Sequence, residues 1–275
     1  MDAHSSADPS GKHGRALYQK CDATKWPDLS ALFPACVQAF GSVDIVIPGA
    51  GVYEPHWSNF WHPPGCQNSK SGDPVQGTET EGLGHYATLD INLTHPIRLT
   101  QLAVQFWLSP SRQQDGLGAS LENPKRVVHI SSIAGQMPGF NTPLYQASKH
   151  GLSGFIRSLA QLDALGVRVN GVAPGLIRTP LWTEHPEKIS MVGEMDSWVE
   201  PEEVAEAMRR CCVDDAVGGG VVLEVLKGRT REVGWRNDPG PEGPGAEVSN
   251  RAVGVKEVFG WLGDGQWGVE KGEGK

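Results

Sequence analysis

Tyr145 and Lys149 stand four residues apart in the segment Tyr145-Gln-Ala-Ser-Lys149. On a helix, positions i and i+4 share a face, so a phenol and an ammonium lie within a few ångströms of each other. A phenol with a pKa near ~10 is a poor base at neutral pH, and a neighbouring ammonium favours the phenolate and makes the ring a usable proton acceptor. Ser132 follows the apolar run Arg126–Ile130 and offers a hydroxyl that can face Tyr145 and bind a substrate oxygen. A Tyr-x-x-x-Lys pair alone is as compatible with a solvated helix face as with catalysis. What tips the reading is its company: Ser132 at a strand end, and a small-residue turn, Gly49-Ala50-Gly51, further upstream.

Those residues need a scaffold, and hydrophobic periodicity supplies one. Ala16–Cys21 reads as a short strand ending at Asp22. Leu29, Leu32, Phe33, Cys36, Val37 and Phe40 recur at helical spacing, with Thr24 as the expected cap and Pro27 in the first turn. Pro34 within that helix is a kink or a defect of about 3 kcal/mol. Val43–Ile47 and Arg126–Ile130 are nearly continuous apolar runs of the kind buried on both faces. Helices are expected from Tyr86 to Leu108 and from Pro143 onward, strands at Val167–Val172 and Val221–Val225, and a helix near Pro201–Cys211. Strands alternating with helices predict an α/β fold, a doubly wound parallel sheet. Ligands of such sheets bind beyond the carboxyl ends of the strands, where Asp22, Gly49–Gly51, Ser132 and Pro174-Gly175 lie. The expected organisation is a disordered segment 1–15, a single domain 16–235, and a Gly- and Pro-rich tail 236–275.

Composition excludes other classes. The 275 residues carry 24 Lys and Arg against 32 Asp and Glu, so a net charge of -8 argues against a nucleic-acid binder. No apolar stretch is long enough for a membrane span, and the first residues lack a basic and apolar leader. Five cysteines with no Cys-x-x-Cys pair fit a reducing compartment, and the cytoplasm is expected. His62 with Cys66 is too sparse for zinc, so no metal is expected.

Taken in order, Asp22, Gly49-Ala50-Gly51, Asn92, the trio Ser132, Tyr145 and Lys149, and Pro174-Gly175 followed by Thr179 resemble the short-chain dehydrogenase/reductase family over roughly Ala16 to Lys227. Gly135–Pro138 and Tyr145–Ser158 are most similar to its 15-hydroxyprostaglandin dehydrogenase-like branch. Pro239-Gly240-Pro241 is similar to the tails of fungal members that act on polyketide alcohols. The resemblance implies a Rossmann-like oxidoreductase using NAD or NADP on a small-molecule alcohol or ketone, in a homodimer or homotetramer. It implies Tyr145 as proton acceptor or donor, Lys149 on the nicotinamide ribose and Ser132 on the substrate oxygen. Asn92 would support a water chain to Lys149. Asp22, Gly49, Ala50 and Gly51 would meet the adenosine half, and Thr179 the carboxamide. Met137, Phe140, Thr142 and Trp182 are expected to line a substrate pocket, and Leu181–Val199 to form a lid over a bulky apolar secondary alcohol. Thr142 stands where related prostaglandin enzymes carry Gln, which argues against a prostanoid.

The chain departs from the family at its start. Members begin with a strand and a GxxxGxG turn opening a helix, which places the pyrophosphate at a helix N-terminus. No turn of that pattern follows a strand and opens a helix here. The expectation is an N-terminally truncated fold in which the Ala16–Cys21 and Val43–Ile47 strands pair directly or leave open edges. Two readings stand: a gene model lacking its first exon, or an inactive remnant with weak or no cofactor binding.

Overall fold

The computed structural model describes residues 5–6, 14–63, 69, 85–183, 189, 192–194, 196–234, 256 and 259–260. In chain order the elements are β1 (Ser5–Ser6), β2 (Ala16–Leu17), α1 (Trp26–Phe40), β3 (Ile45–Val46), α2 (Ala87–Leu89), α3 (His95–Trp107), α4 (Pro110–Gln114) and β4 (Lys125–Ile130). They continue with α5 (Pro143–Ser158), β5 (Val167–Pro174), α6 (Pro180–Thr183), α7 (Pro201–Val213), β6 (Val222–Leu226) and β7 (Arg229–Glu232).

The apolar runs become the sheet, in the order β3-β4-β5-β6-β7. The first four are parallel, in the registers Val46↔Val127, Val127↔Val169 and Val172↔Leu223. Alternate residues of each strand face opposite layers. Val127 and Val169 pack with Leu29 and Phe33 of α1 and with Leu99 and Trp107 of α3, whereas Val128, Val172 and Leu223 pack with Val204, Ala207 and Cys211 of α7. On a third cluster, α5 buries Leu152 and Ile156 against Ala173 and Val222. Helices therefore cover both faces, and the sheet is doubly wound. Each fully buried Leu or Ile of this kind contributes about 1.5–3 kcal/mol.

Three expectations need correction. The Ala16–Cys21 strand shrinks to Ala16–Leu17 and pairs antiparallel with Ser5–Ser6, outside the main sheet. Its neighbours in the sheet would have to lie between it and β3, and no described residue forms them. The edge of β3 is consequently open among the described residues, with Ile45 47% and Ile47 46% exposed. The sheet is also not wholly parallel, because β6 turns through Gly228 (φ 67°) into an antiparallel β7 whose residues are all exposed. Thr24 does not cap α1. Lys25 occupies that position without a side-chain bond, while the Thr24 amide and hydroxyl both donate to Asp22 Oδ1. Most of 1–15 and 236–275 lies outside the described residues.

Candidate active site

The end of β4 and the start of α5 hold the expected trio Ser132, Tyr145 and Lys149. β4 stops at Ile130, where Ser132 takes an extended conformation (φ -170°) and its Oγ accepts from the Ala134 amide at 3.1 Å. That bond closes a tight turn, Ile133–Gly135, which lies directly on α5. A Cβ on Gly135 would stand 2.7 Å from the Lys149 carbonyl, so only glycine permits the approach. Ser131 Oγ reinforces the contact by bonding Ser153 Oγ at 2.8 Å and the Lys149 carbonyl at 3.3 Å. The phenol of Tyr145 hydrogen-bonds Ser132, and its ring packs edge-on against Tyr53 with centroids 4.8 Å apart.

Lys149 is buried, and its Nζ donates to the Ile130 carbonyl at 2.7 Å while lying 5.5 Å from the Tyr145 ring centroid. Here the expected electrostatics are overturned. Burial pushes the Tyr145 phenol up to about 12, outweighing the hydrogen bond from Ser132 that favours its ionisation. Burial likewise brings Lys149 down to about 8. The ammonium is directed at a backbone carbonyl, not at the phenol oxygen. The phenol therefore keeps its proton at neutral pH.

Two adjoining cavities meet at Ser132 and Tyr145. One, of about 270 Å³, is lined by Gly49, Ala50, Gly51, Lys149, Pro174, Gly175 and Thr179. The other, of about 290 Å³, is lined by Tyr53, Ile133, Met137, Gln146, Leu176 and Val192. Ser132, Tyr145, Leu181 and Trp182 belong to both walls. Trp182 stacks on Tyr53 at 5.2 Å and meets Trp198 at 6.5 Å, which makes the second cavity strongly aromatic.

Not every expected site residue reaches these walls. Asn92 is buried in a π-helical turn, Asp90–Thr94, between α2 and α3. Its amide exchanges two hydrogen bonds with the Val52 backbone (2.8 and 2.9 Å) and contacts Ser148 Oγ at 3.4 Å, so it braces the Gly49–Val52 wall from behind. A π-turn widens the helix and commonly marks a functional position. Asp22 organises the turn before α1 and lines neither cavity. Of the expected substrate wall, Met137 and Trp182 line the second cavity, but Phe140 and Thr142 do not. Phe140 is 84% exposed, stacks on Trp61 at 4.7 Å and accepts from the Trp61 indole through its carbonyl. Thr142 is buried at the start of α5. Of the expected lid Leu181–Val199, positions 184–188, 190–191 and 195 lie outside the described residues. Sequence reasoning missed Tyr53 and Glu54, neither of which carried a signal, and it read Gly135 only as part of the Gly135–Pro138 motif, not as the close approach to α5.

The first cavity's backbone-lined wall and single buried ammonium fit the nicotinamide-ribose end of a dinucleotide. For the pyrophosphate, the described residues contain no Gly-rich turn between a strand and a helix, so the fit covers that end alone.

Residues 3–190 match the short chain dehydrogenase family, and the chain belongs to it. It is an oxidoreductase of the class that works with NAD or NADP. The chain is 29% identical over 223 residues to 15-hydroxyprostaglandin dehydrogenase (NAD(+)) of Rattus norvegicus, covering 76% of this chain and 70% of that protein. It is 34% identical over 169 residues to a short-chain dehydrogenase/reductase of Penicillium rubens, covering 61% and 54% respectively. A short-chain type dehydrogenase/reductase from Mycobacterium marinum shares the fold, with a TM-score of 0.60 at 18% identity over 80% of this chain and 77% of that one.

Proposed function

We propose that the chain interconverts a bulky apolar secondary alcohol and its ketone with NAD or NADP, using Tyr145 as the general acid or base. The observation that carries this reading is the position of Tyr145 and Ser132 on the shared wall of the two cavities. The bound nicotinamide supplies or takes the hydride. Ser132 holds the substrate oxygen, and Tyr145 passes its proton to that oxygen in reduction or takes one in oxidation. Lys149, fixed by the Ile130 carbonyl, would hold the ribose hydroxyls, while Gly49 to Gly51 and Thr179 wall the same cavity. The aromatic second cavity, with Tyr53, Met137 and Trp182, suits a large apolar substrate, including an alcohol of secondary metabolism. We place the chain in the cytoplasm as a homo-oligomer, with Ala147, Gly151 and Gly154 on an exposed, closely approachable face of α5.

A second reading, a chain with weak or no cofactor binding, is favoured by one observation: the described residues lack a phosphate-binding turn. Titration with NADH and with NADPH, read as energy transfer from tryptophan to nicotinamide, separates the two. Saturable transfer with either supports the first reading, and none with both supports the second. Given binding, Tyr145→Phe is expected to lower turnover at least ~100-fold with cofactor affinity nearly unchanged.

A further inference from the structure

Glu54 is a charged residue only 4% exposed, three residues after the Gly49–Gly51 wall. Its backbone sits at φ 36°, the one positive φ found at a non-glycine residue among those described. Such a conformation is unfavourable in an L residue and persists only when the surroundings demand it. The demand is visible at the start of α5. Thr142 at the N-cap makes no side-chain cap bond, and Pro143 has no amide hydrogen to satisfy. The next two amides, those of Leu144 and Tyr145, both donate to the Glu54 carboxylate, the latter at 2.8 Å. The other carboxylate oxygen accepts from the Phe60 amide at 3.1 Å, and the Glu54 carbonyl accepts from Asn59 Nδ2 at 3.1 Å. A carboxylate 91 residues away in sequence thus supplies the cap that Thr142 withholds, at the positive end of the helix dipole.

We propose that Glu54 is a positioning residue that fixes Tyr145 by tying the first turn of α5 to the loop leaving the Gly49–Gly51 wall. Its carboxylate touches the backbone of the very residue whose phenol meets Ser132, so a shift of the loop moves the phenol relative to both cavities. The inference rests on the reading of Tyr145 as the proton-transfer group. Glu54→Gln keeps the shape but removes the charge and one of the two acceptor oxygens. Hydrogen exchange should speed up at least fivefold at Leu144 and Tyr145 and stay unchanged across α7. With 1-tetralone and NADH or NADPH as the probe pair, kcat should fall about tenfold while KM stays within twofold. Adding Thr142→Asp supplies a local cap: amide protection should return, but kcat should not, because the tie to the loop is still missing. The double variant also keeps the measurement possible where Glu54→Gln alone does not fold. Unchanged exchange in Glu54→Gln, or full recovery of kcat by Thr142→Asp, overturns the proposal. A wild-type chain that reduces no tetralone counts against the proposed activity, and the exchange result then decides the role of Glu54 by itself.

Discussion

At the scale of single residues, the site separates two effects of burial that act on neighbouring groups. Tyr145 is pushed up to about 12 and Lys149 down to about 8, in each case because desolvation penalises the charged form. Across the working range only Lys149 changes charge. Below pH 8 it is an ammonium, which the proposed function sets on the ribose hydroxyls, and above 8 it is increasingly neutral, whereas the phenol keeps the proton that the proposed reduction would use. Ketone reduction by the wild type is therefore expected to decline as pH rises through about 8. In Lys149→Arg, whose guanidinium does not titrate there, that decline should vanish even though overall activity is lower. A kcat/KM–pH profile of both forms checks this, and a decline retained in the arginine variant would assign it to another group. His129 behaves analogously beneath the site. Burial, with repulsion from His95 and Lys149, brings its imidazole down to about 3. One ring nitrogen contacts Thr100 Oγ1 at 3.1 Å and the other has no partner among the described residues. The folded protein holds His129 neutral and the unfolded chain protonates it near pH ~6.5. This contribution to stability is complete above that pH and is lost as pH falls through it towards 3, at about 1.4 kcal/mol per unit. Urea denaturation at pH 7.5 and pH 5 should show the loss, and the slope should shrink in His129→Gln.

At the scale of elements, the turns set the geometry more tightly than the helices do. Gly166 ends the segment before β5 at φ 75°, its carbonyl accepts from the Lys125 amide, and a Cβ there would stand 2.1 Å from the Ser120 carbonyl oxygen. Gly116 has a similar φ of 68° but open space around it. Gly116→Ala is expected to cost about 1 kcal/mol, the left-handed penalty alone. Gly166→Ala should cost at least about 3 kcal/mol, because backbone must also move. Thermal unfolding of the two variants tests the difference, and equal losses would mean that the Ser120 segment yields freely. The π-turn at Asp90–Thr94 belongs to this scale as well, since it lets Asn92 brace the Val52 backbone.

At the scale of the whole molecule, the exposed α5 face of Ala147, Gly151 and Gly154 bears on assembly. A Cβ on Gly154 would meet nothing within 4 Å, so the monomer has no packing reason for glycine in a helix interior, where it costs about 1 kcal/mol relative to Ala. Light scattering is expected to give a mass above 29.6 kDa, and Gly154→Arg to bring it back to that value without unfolding. A wild-type monomer would remove the assembly from the proposal. The β3 edge, open among the described residues with Ile45 and Ile47 about half exposed, lies elsewhere on the sheet and invites strand pairing of a different kind.

What the sequence determined by itself was whatever local periodicity encodes. Continuous apolar runs bounded by turn residues read as buried strands, and the Tyr145–Lys149 spacing puts both side chains on one helix face, so β4, β5, α5 and the place of Ser132 after a strand were legible, whereas the Val43–Ile47 run became the half-exposed edge strand β3. The tertiary structure alone decided the rest. Whether Ala16–Leu17 joins the sheet depends on neighbours that no local pattern names. Whether a phenol beside a lysine is acidified or pushed up depends on how dry the site is and where the ammonium points. Glu54 could not be read at all, because a polar residue in a polar loop looks solvated until folding brings the amides of α5 onto its carboxylate.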